Sequence, residues 1–318
     1  MEKSSTKKTK LKGFNFKKFN FKKLNLKDVN FKSIRTKLII YFSILILLSS
    51  IAIGLISLQR ASSSLIAEVK KSLGTISYEA SKTTSARLEV QLSALEIIAG
   101  RDDIKGMDWS EQQAVLKDQI SYTEFQDIGI IYPDGTARYG ASGKEIKLDS
   151  NDPALEVLDG KSNIIYFSIS PATKEFALTF SIPLREDGQI VGGVIGNRHG
   201  GALRTIINDM SFGEKGYGYI IDDKGTVIAH PELSKVLEEF NPIEETKNDV
   251  NQESTANLFE KILVEKSGVD YYSIAGEDYY AGYAPIENTP WTIVITAHEG
   301  EILSSITALR TAIFLVLV

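Results

Sequence analysis

The sequence contains no cysteine. That absence excludes a disulfide framework, thiolate zinc sites, iron–sulfur ligation and thiol nucleophiles. It leaves the compartment open, since a chain without cysteine suits any redox environment. Histidine is nearly absent: His199, His230 and His298 are the only three, and no two have metal-ligand spacing. No Gly-x-Ser-x-Gly elbow occurs. Gly140–Lys144 and Gly213–Gly218 are glycine-rich but match neither the phosphate-loop nor the dinucleotide pattern. The acid pairs Asp102-Asp103 and Asp222-Asp223 fall in expected turns, where solvated carboxylates are ordinary. The residues therefore point away from an enzyme and call for no cofactor or metal.

Charge is missing from one long stretch. Leu38–Leu58 is 21 residues without a charged side chain, and as a helix it reaches ~32 Å, enough to cross a membrane core. Residues 1–37 before it carry a net charge of +11, and the remainder of the chain carries −16. By the positive-inside rule the N-terminal tail is cytoplasmic and residues 59–308 are extracytoplasmic. The apolar segment Thr311–Val318 is expected to begin a second span cut short at the end of the sequence. The tail repeats a pentad of apolar, Asn, apolar, Lys and a variable residue, from Phe14 to Ser33. A period of five builds no single helical or strand face. Its lysines suit anionic lipid at the inner leaflet rather than nucleic acid.

What is present after the apolar run is helical periodicity. Leu65, Val69, Leu73, Ile76, Ala80, Thr84, Leu88, Leu92, Leu95 and Ile98 recur at steps of three and four, with no proline between them and the span. This stalk helix is expected either to lie on its own domain or to pair with a second copy. Ser110 with Gln113 reads as the capping box of a shorter helix. Strand chemistry follows: Asp127–Tyr139 as strand, Pro-Asp-Gly turn and strand, then Ile164–Ile169, Glu175–Leu184 and Gln189–Gly196. Between them Asp152-Pro153 opens a short helix closed by Gly160.

A length of 318 residues accommodates roughly two folded units of ~100–200 residues, and an internal repeat supplies them. Ile130-Ile-Tyr-Pro-Asp-Gly-Thr136 recurs as Ile220-Ile-Asp-Asp-Lys-Gly-Thr226, and Ile182-Pro-Leu-Arg-Glu186 is echoed in Ala284-Pro-Ile-Glu287. Gly200–Met210 reads as a connecting helix. Leu258, Phe259, Ile262 and Leu263 form a helical face that ends at Gly268. Tyr279–Pro285 and Trp291–Thr296 close the second lobe. The fold class is α+β: a long membrane and stalk helix, then two lobes with antiparallel sheets. The expected boundaries are 1–37 tail, 38–58 span, 59–108 stalk, 109–200 membrane-distal lobe, 201–300 membrane-proximal lobe and 301–318 second span.

This organisation resembles the double-Cache sensors of bacterial transmembrane receptors, with tandem PAS-like lobes. The segment Phe212–Pro231 is similar to the entry of a membrane-proximal Cache lobe, and Tyr283–Trp291 to its closing strand pair. Ser33–Leu38 and Ala86–Glu96 are similar to methyl-accepting chemotaxis proteins. The resemblance implies a chemoreceptor's input region that binds a small molecule in the distal lobe and signals inward. It also implies that cytoplasmic signalling partners are reached only through a region absent here. The alternatives are a sensor of a diguanylate cyclase or histidine kinase, and a membrane-anchored structural or protein-binding module. Amino-acid-binding members of the family carry a late Asp that holds the ligand amine. Here Asn197 stands in that position, and no Arg-x-Trp-Tyr run precedes the third strand. A neutral amide offers no charge-assisted bond to an ammonium. Arg198 beside it suits a carboxylate or phosphate, so an anionic ligand is expected. The candidate wall is Tyr139, Tyr166, Ser168, Phe176, Thr179, Asn197 and Arg198.

Overall fold

The computed structural model describes residues 33–170, 175–246 and 252–304. The basic pentads and the apolar C-terminal segment lie outside the described residues. Helix α1 runs from Ile34 to Ala99. It contains an 18-residue window of mean hydropathy 2.6, long and apolar enough to cross a membrane. The chain divides into two units, and the larger one comprises Leu58–Ala312.

Within that larger unit the stalk part of α1 buries one stripe: Val69, Leu73, Ala80, Leu88, Leu92, Leu95 and Ile98. These belong to a single core shared with Ile128 and Phe180 of one sheet and Ile220 and Ile293 of the other. The stripe read from the sequence is therefore used up on the protein's own lobes. The opposite side of the helix keeps Val90 and Ile97 exposed. Burying each leucine stabilises by about 1.5–3 kcal/mol, so the stalk is the spine on which both lobes are built.

Two short helices follow, α2 (Asp102–Lys105) and α3 (Trp109–Ile120). The cap of α3 is Asp108, whose carboxylate accepts from the amides of Ser110 and Glu111. The expected capping box at Ser110 is thus displaced by an acid two residues earlier, the stronger acceptor for orphan amides.

The first sheet has the order β3-β2-β1-β6-β5-β4. Its strands are β1 (Asp127–Ile131), β2 (Thr136–Tyr139), β3 (Glu145–Lys147), β4 (Ile164–Ile169), β5 (Phe176–Glu186) and β6 (Gln189–His199). Strand β3 was not legible, being three residues with an exposed–intermediate–exposed pattern. A 3-10 turn at Pro153–Val157, capped by Asp152, lies over one face. Helix α4 (Gly201–Ile207) then leads to the second sheet, burying Leu203, Ile206 and Ile207 in the shared core.

The second sheet has the order β8-β7-β11-β10-β9. It comprises β7 (Gly218–Ile221), β8 (Val227–Ala229), β9 (Gly268–Ile274), β10 (Glu277–Pro285) and β11 (Thr292–His298). Apart from β3, this is the strand order of the first sheet. The sequence echo is explained by it: Pro183 and Pro285 sit near the ends of equivalent strands, facing Gly193 and Thr292. Helices α5 (Leu233–Leu237), α6 (Pro242–Glu245) and α7 (Glu253–Glu265) form the insert. Helix α7 ends through Lys266 in the left-handed region, and Gly268 starts β9 rather than capping the helix.

The second lobe is tied to the stalk by polar contacts as well. Ser81 donates its hydroxyl to the carbonyl of Pro285, Ser85 accepts from the Glu287 amide at 3.0 Å, and Lys82 pairs with Glu287 at 2.6 Å. After β11, residues 299–304 are helical. Glu301 there accepts from the amides of Glu214 and Lys215 at 2.7 and 3.0 Å, joining the helix that leaves the lobe to the loop that enters it.

Candidate functional site

Side chains alternate across a strand, so register decides which residues share a wall. In the first sheet Tyr166 pairs with Thr179, Thr179 with Asn197, and Asn197 with Asp127. This row lies on the face away from the stalk, under the Pro153–Val157 turn. Ser168 opposes Ala177 one step along the same face. Tyr139 enters from β2 and is buried on that face with Ala154 and Val157.

The row is a hydrogen-bonded cluster. Thr179 donates its hydroxyl to Asn197 Oδ1 at 3.0 Å, and Asn197 Nδ2 donates to the Tyr139 oxygen at 3.3 Å. Tyr166 donates to Asp152 Oδ1 at 2.7 Å. Asp152 also accepts from the Ala154 amide, so one carboxylate holds both the sheet and the turn above it. Burial pushes the Tyr139 phenol up to about 12. Tyr166 is also raised, by burial first and then by the Asp152 charge. Both phenols are protonated donors at neutral pH. Asp127 accepts from the amides of Ala141 and Ser142 at 2.9 and 3.0 Å, so the glycine-rich loop at Gly140–Lys144 is a carboxylate-tied turn.

Two of the expected wall residues lie on the other face. Strand β6 continues through His199, so Asn197 and Arg198 are neighbours within a strand and point apart. Arg198 opposes Leu178, whose side chain is in the stalk core. Its guanidinium pairs with Glu124, and burial lowers its pKa. It lines a separate cleft of about 330 Å³ with Arg87 and Gln91 of the stalk. Phe176 likewise faces the stalk side, stacked on Phe167 with centroids 5.4 Å apart. The structure thus brings together Tyr139, Tyr166, Ser168, Thr179 and Asn197, and separates Arg198 and Phe176 from them. The expectation of an anionic ligand beside Asn197 loses the cation on which it stood. Asp152 is the residue that sequence reasoning missed as part of this cluster. It reads there only as a helix opener, and nothing in its spacing from Tyr166 marks the pair.

A long helix carrying two antiparallel sheets of one topology, each with its outer face covered by an insert, defines a tandem-lobe α+β protein of sensor type. The chain belongs to the Cache domain family, whose dCache_1 model matches residues 61–306. A curated relative is the methyl-accepting chemotaxis protein PctB of Pseudomonas aeruginosa, 24% identical over 156 residues. That match covers 48% of this chain and 23% of the relative, so the chain spans under a quarter of that relative's length. The ligand-binding domain of the Campylobacter jejuni chemoreceptor Tlp3, solved with L-norvaline, superposes with a TM-score of 0.59 at 13% identity, covering 76% of this chain and 95% of that one. The ligand-binding domain of Pseudomonas aeruginosa PctB, solved with L-Arg, gives 0.58 at 18% identity, covering 74% and 98%. At these identities the likeness is one of fold.

Proposed function

We propose that this chain is the sensing region of a bacterial transmembrane chemoreceptor, and that its distal lobe binds a small molecule outside the membrane. The observation that carries this is the polar cluster of buried Tyr139, Thr179 and Asn197 with the half-buried Tyr166–Asp152 pair, set on one face of a sheet whose other face is packed on the stalk helix. Family membership and a chemotaxis protein among the relatives support the output. The chain acts by binding rather than by catalysis. Its lysine-rich N-terminus lies inside the cell, on the charge asymmetry of the tail, and pairing of two copies uses the outward side of α1 at Val90 and Ile97. The domain boundaries follow the sequence repeat: tail, span, stalk, distal lobe to residue 200, proximal lobe to residue 300, second span.

The ligand class is an amine-bearing molecule, with an amino acid first. Solved chemoreceptor domains of this fold hold L-norvaline and L-Arg. Two carboxylates adjoin the cluster, Asp152 bonded to Tyr166 and Asp127 opposite Asn197, and both suit an ammonium. A ligand that closes the lobe shifts the stalk only by its differential affinity for two states, typically ~1–3 kcal/mol.

The test is a thermal-shift screen of the full chain in detergent micelles against amino acids, amines and carboxylates. A ligand at ~100 times its Kd adds ~2.7 kcal/mol. The expected hit is an amino acid, weakened about tenfold or more by Tyr166→Phe and Thr179→Val. A carboxylate hit lost on Arg198→Ala and untouched by those two variants would sink this reading.

A further inference from the structure

The second lobe contains a cavity of about 480 Å³, on the face of its sheet away from the stalk and beneath the insert helices. That is within the range of small-molecule sites. Its wall is aromatic. The Tyr217 ring lies 5.2 Å from His230, 6.1 Å from Tyr219 and 5.9 Å from Tyr279, and Tyr272 stacks on Tyr279 at 5.5 Å, all between centroids. These rings pair with one another at ordinary aromatic distances and at the same time line the cavity.

Two polar atoms on residues of that lining have no hydrogen-bond partner among the described residues. The Tyr219 hydroxyl has no hydrogen-bond partner among the described residues, although the residue is only 3% exposed. Gln252 Oε1, on a residue of the same lining, is also without a partner among the described residues. A buried polar atom without a partner carries a cost, and folds seldom keep two at one cavity without use.

The lining is negative by one formal charge, Glu232 and Glu277 against Lys235. Glu232 and Glu277 both contribute carboxylates. Glu277 meets His298 Nε2 at 2.7 Å, whereas Glu232 has no ion pair among the described residues. His230 Nδ1 accepts from the Glu232 amide at 2.9 Å, and burial lowers its pKa, so this ring is neutral at pH 7. The rings already hold one cation: Lys235 Nζ lies 3.8 Å from the Phe240 centroid.

We propose that the membrane-proximal lobe is a second binding site, for a small organic cation of the ammonium class. The faces of Tyr217 and Tyr279 take the cation through their ring quadrupoles. Glu232 supplies the counter-charge, and the Tyr219 hydroxyl and Gln252 carbonyl take the ligand's polar group. The site is independent of the distal cluster, and both reach the same stalk, so the receptor integrates two chemicals in one chain.

The test is calorimetric titration of the full chain in detergent micelles with choline, tetramethylammonium and the neutral tert-butyl isostere of choline. Both cations are expected to bind, the isostere about tenfold or more weakly. Tyr279→Ala is expected to weaken choline about tenfold, while Tyr279→Phe, which keeps the ring, retains it. Tyr219→Phe is expected to weaken choline several-fold with no loss of melting temperature, a split that a merely structural hydroxyl would not give. Thr179→Val in the distal lobe leaves choline binding unchanged, which separates this proposal from the distal reading. Equal binding of the isostere, no binding of either cation, or choline binding abolished by Thr179→Val instead of Tyr279→Ala would overturn it.

Discussion

The two lobes share a strand order and a supporting helix but differ in how they meet that helix. In the proximal lobe the β10 backbone comes against the backbone of α1: a Cβ placed on Gly282 would lie 2.6 Å from the Leu73 carbonyl oxygen. In the distal lobe contact is through side chains: a Cβ on Gly196 would meet Phe125 at 2.7 Å and Leu95 at 3.0 Å. Close backbone docking, reinforced by Ser81 and Ser85, makes the proximal lobe the more rigid attachment. A side-chain joint can repack. The lobe proposed to move with ligand is therefore the one whose joint permits it.

The largest effect that probes this comparison is loss of a stalk leucine under each lobe. Leu73 and Leu95 are both fully buried. Leucine-to-alanine changes at such sites cost about 2–5 kcal/mol, and ~2–4 °C of melting temperature accompanies each kcal/mol in a domain of this size. Because both leucines belong to one continuous core, Leu73→Ala and Leu95→Ala are expected to lower the same calorimetric transition. Two separate transitions, each responding to only one variant, would break the picture of a shared spine. The next effect is smaller and more discriminating. Gly282→Ala pushes a methyl into backbone that cannot yield and is expected to cost about 3 kcal/mol, at the upper end for overpacking. Gly196→Ala meets rings and a leucine tip that can shift, and is expected to cost about 1–2 kcal/mol. Equal losses in chemical denaturation would remove the distinction between the two joints.

Much of this arrangement is legible in the residues. The helical stripe from Leu65 to Ile98 names the buried face of α1 because a 3.6 period has only one solution over so many turns. The hairpin at Asp127–Tyr139 is set by Pro133-Asp134-Gly135, where Gly135 adopts φ 82°. The repeat at Ile220 gives the second lobe. Short edge strands are not legible: β3 has one half-buried residue and no alternation to detect. Strand β9 is hidden because Tyr271-Tyr272 interrupts a polar–apolar rhythm that lies half exposed. The placement of Arg198 fails for one reason. Ending β6 at Gly196 frees the next residues from alternation, and extending it to His199 binds them to it. A three-residue error at a strand end reverses the face of a guanidinium, and with it the expected charge of the ligand. The proximal cavity is missed because the tyrosines that line it arrive from three strands and the loop entering the lobe, spaced as ordinary core.

The finest comparison sets one buried tyrosine against another. Tyr139 in the distal lobe and Tyr219 in the proximal lobe are 1% and 3% exposed, and each lies on the face away from the stalk. Tyr139 accepts from Asn197 Nδ2 at 3.3 Å, whereas the Tyr219 hydroxyl has no partner among the described residues. Replacing Tyr139 by Phe leaves a buried amide donor unmet, and is expected to cost about 1 kcal/mol. Replacing Tyr219 by Phe removes a group that makes no bond, so stability is expected to stay level or to rise by up to ~1 kcal/mol. Urea denaturation of the two variants beside the parent chain reads the difference directly. The distal hydroxyl is then part of what holds its lobe together, and the proximal one is held in reserve for whatever enters the cavity. A Tyr219→Phe loss as large as that of Tyr139→Phe would show that both hydroxyls are structural, and the two faces would no longer be different in kind.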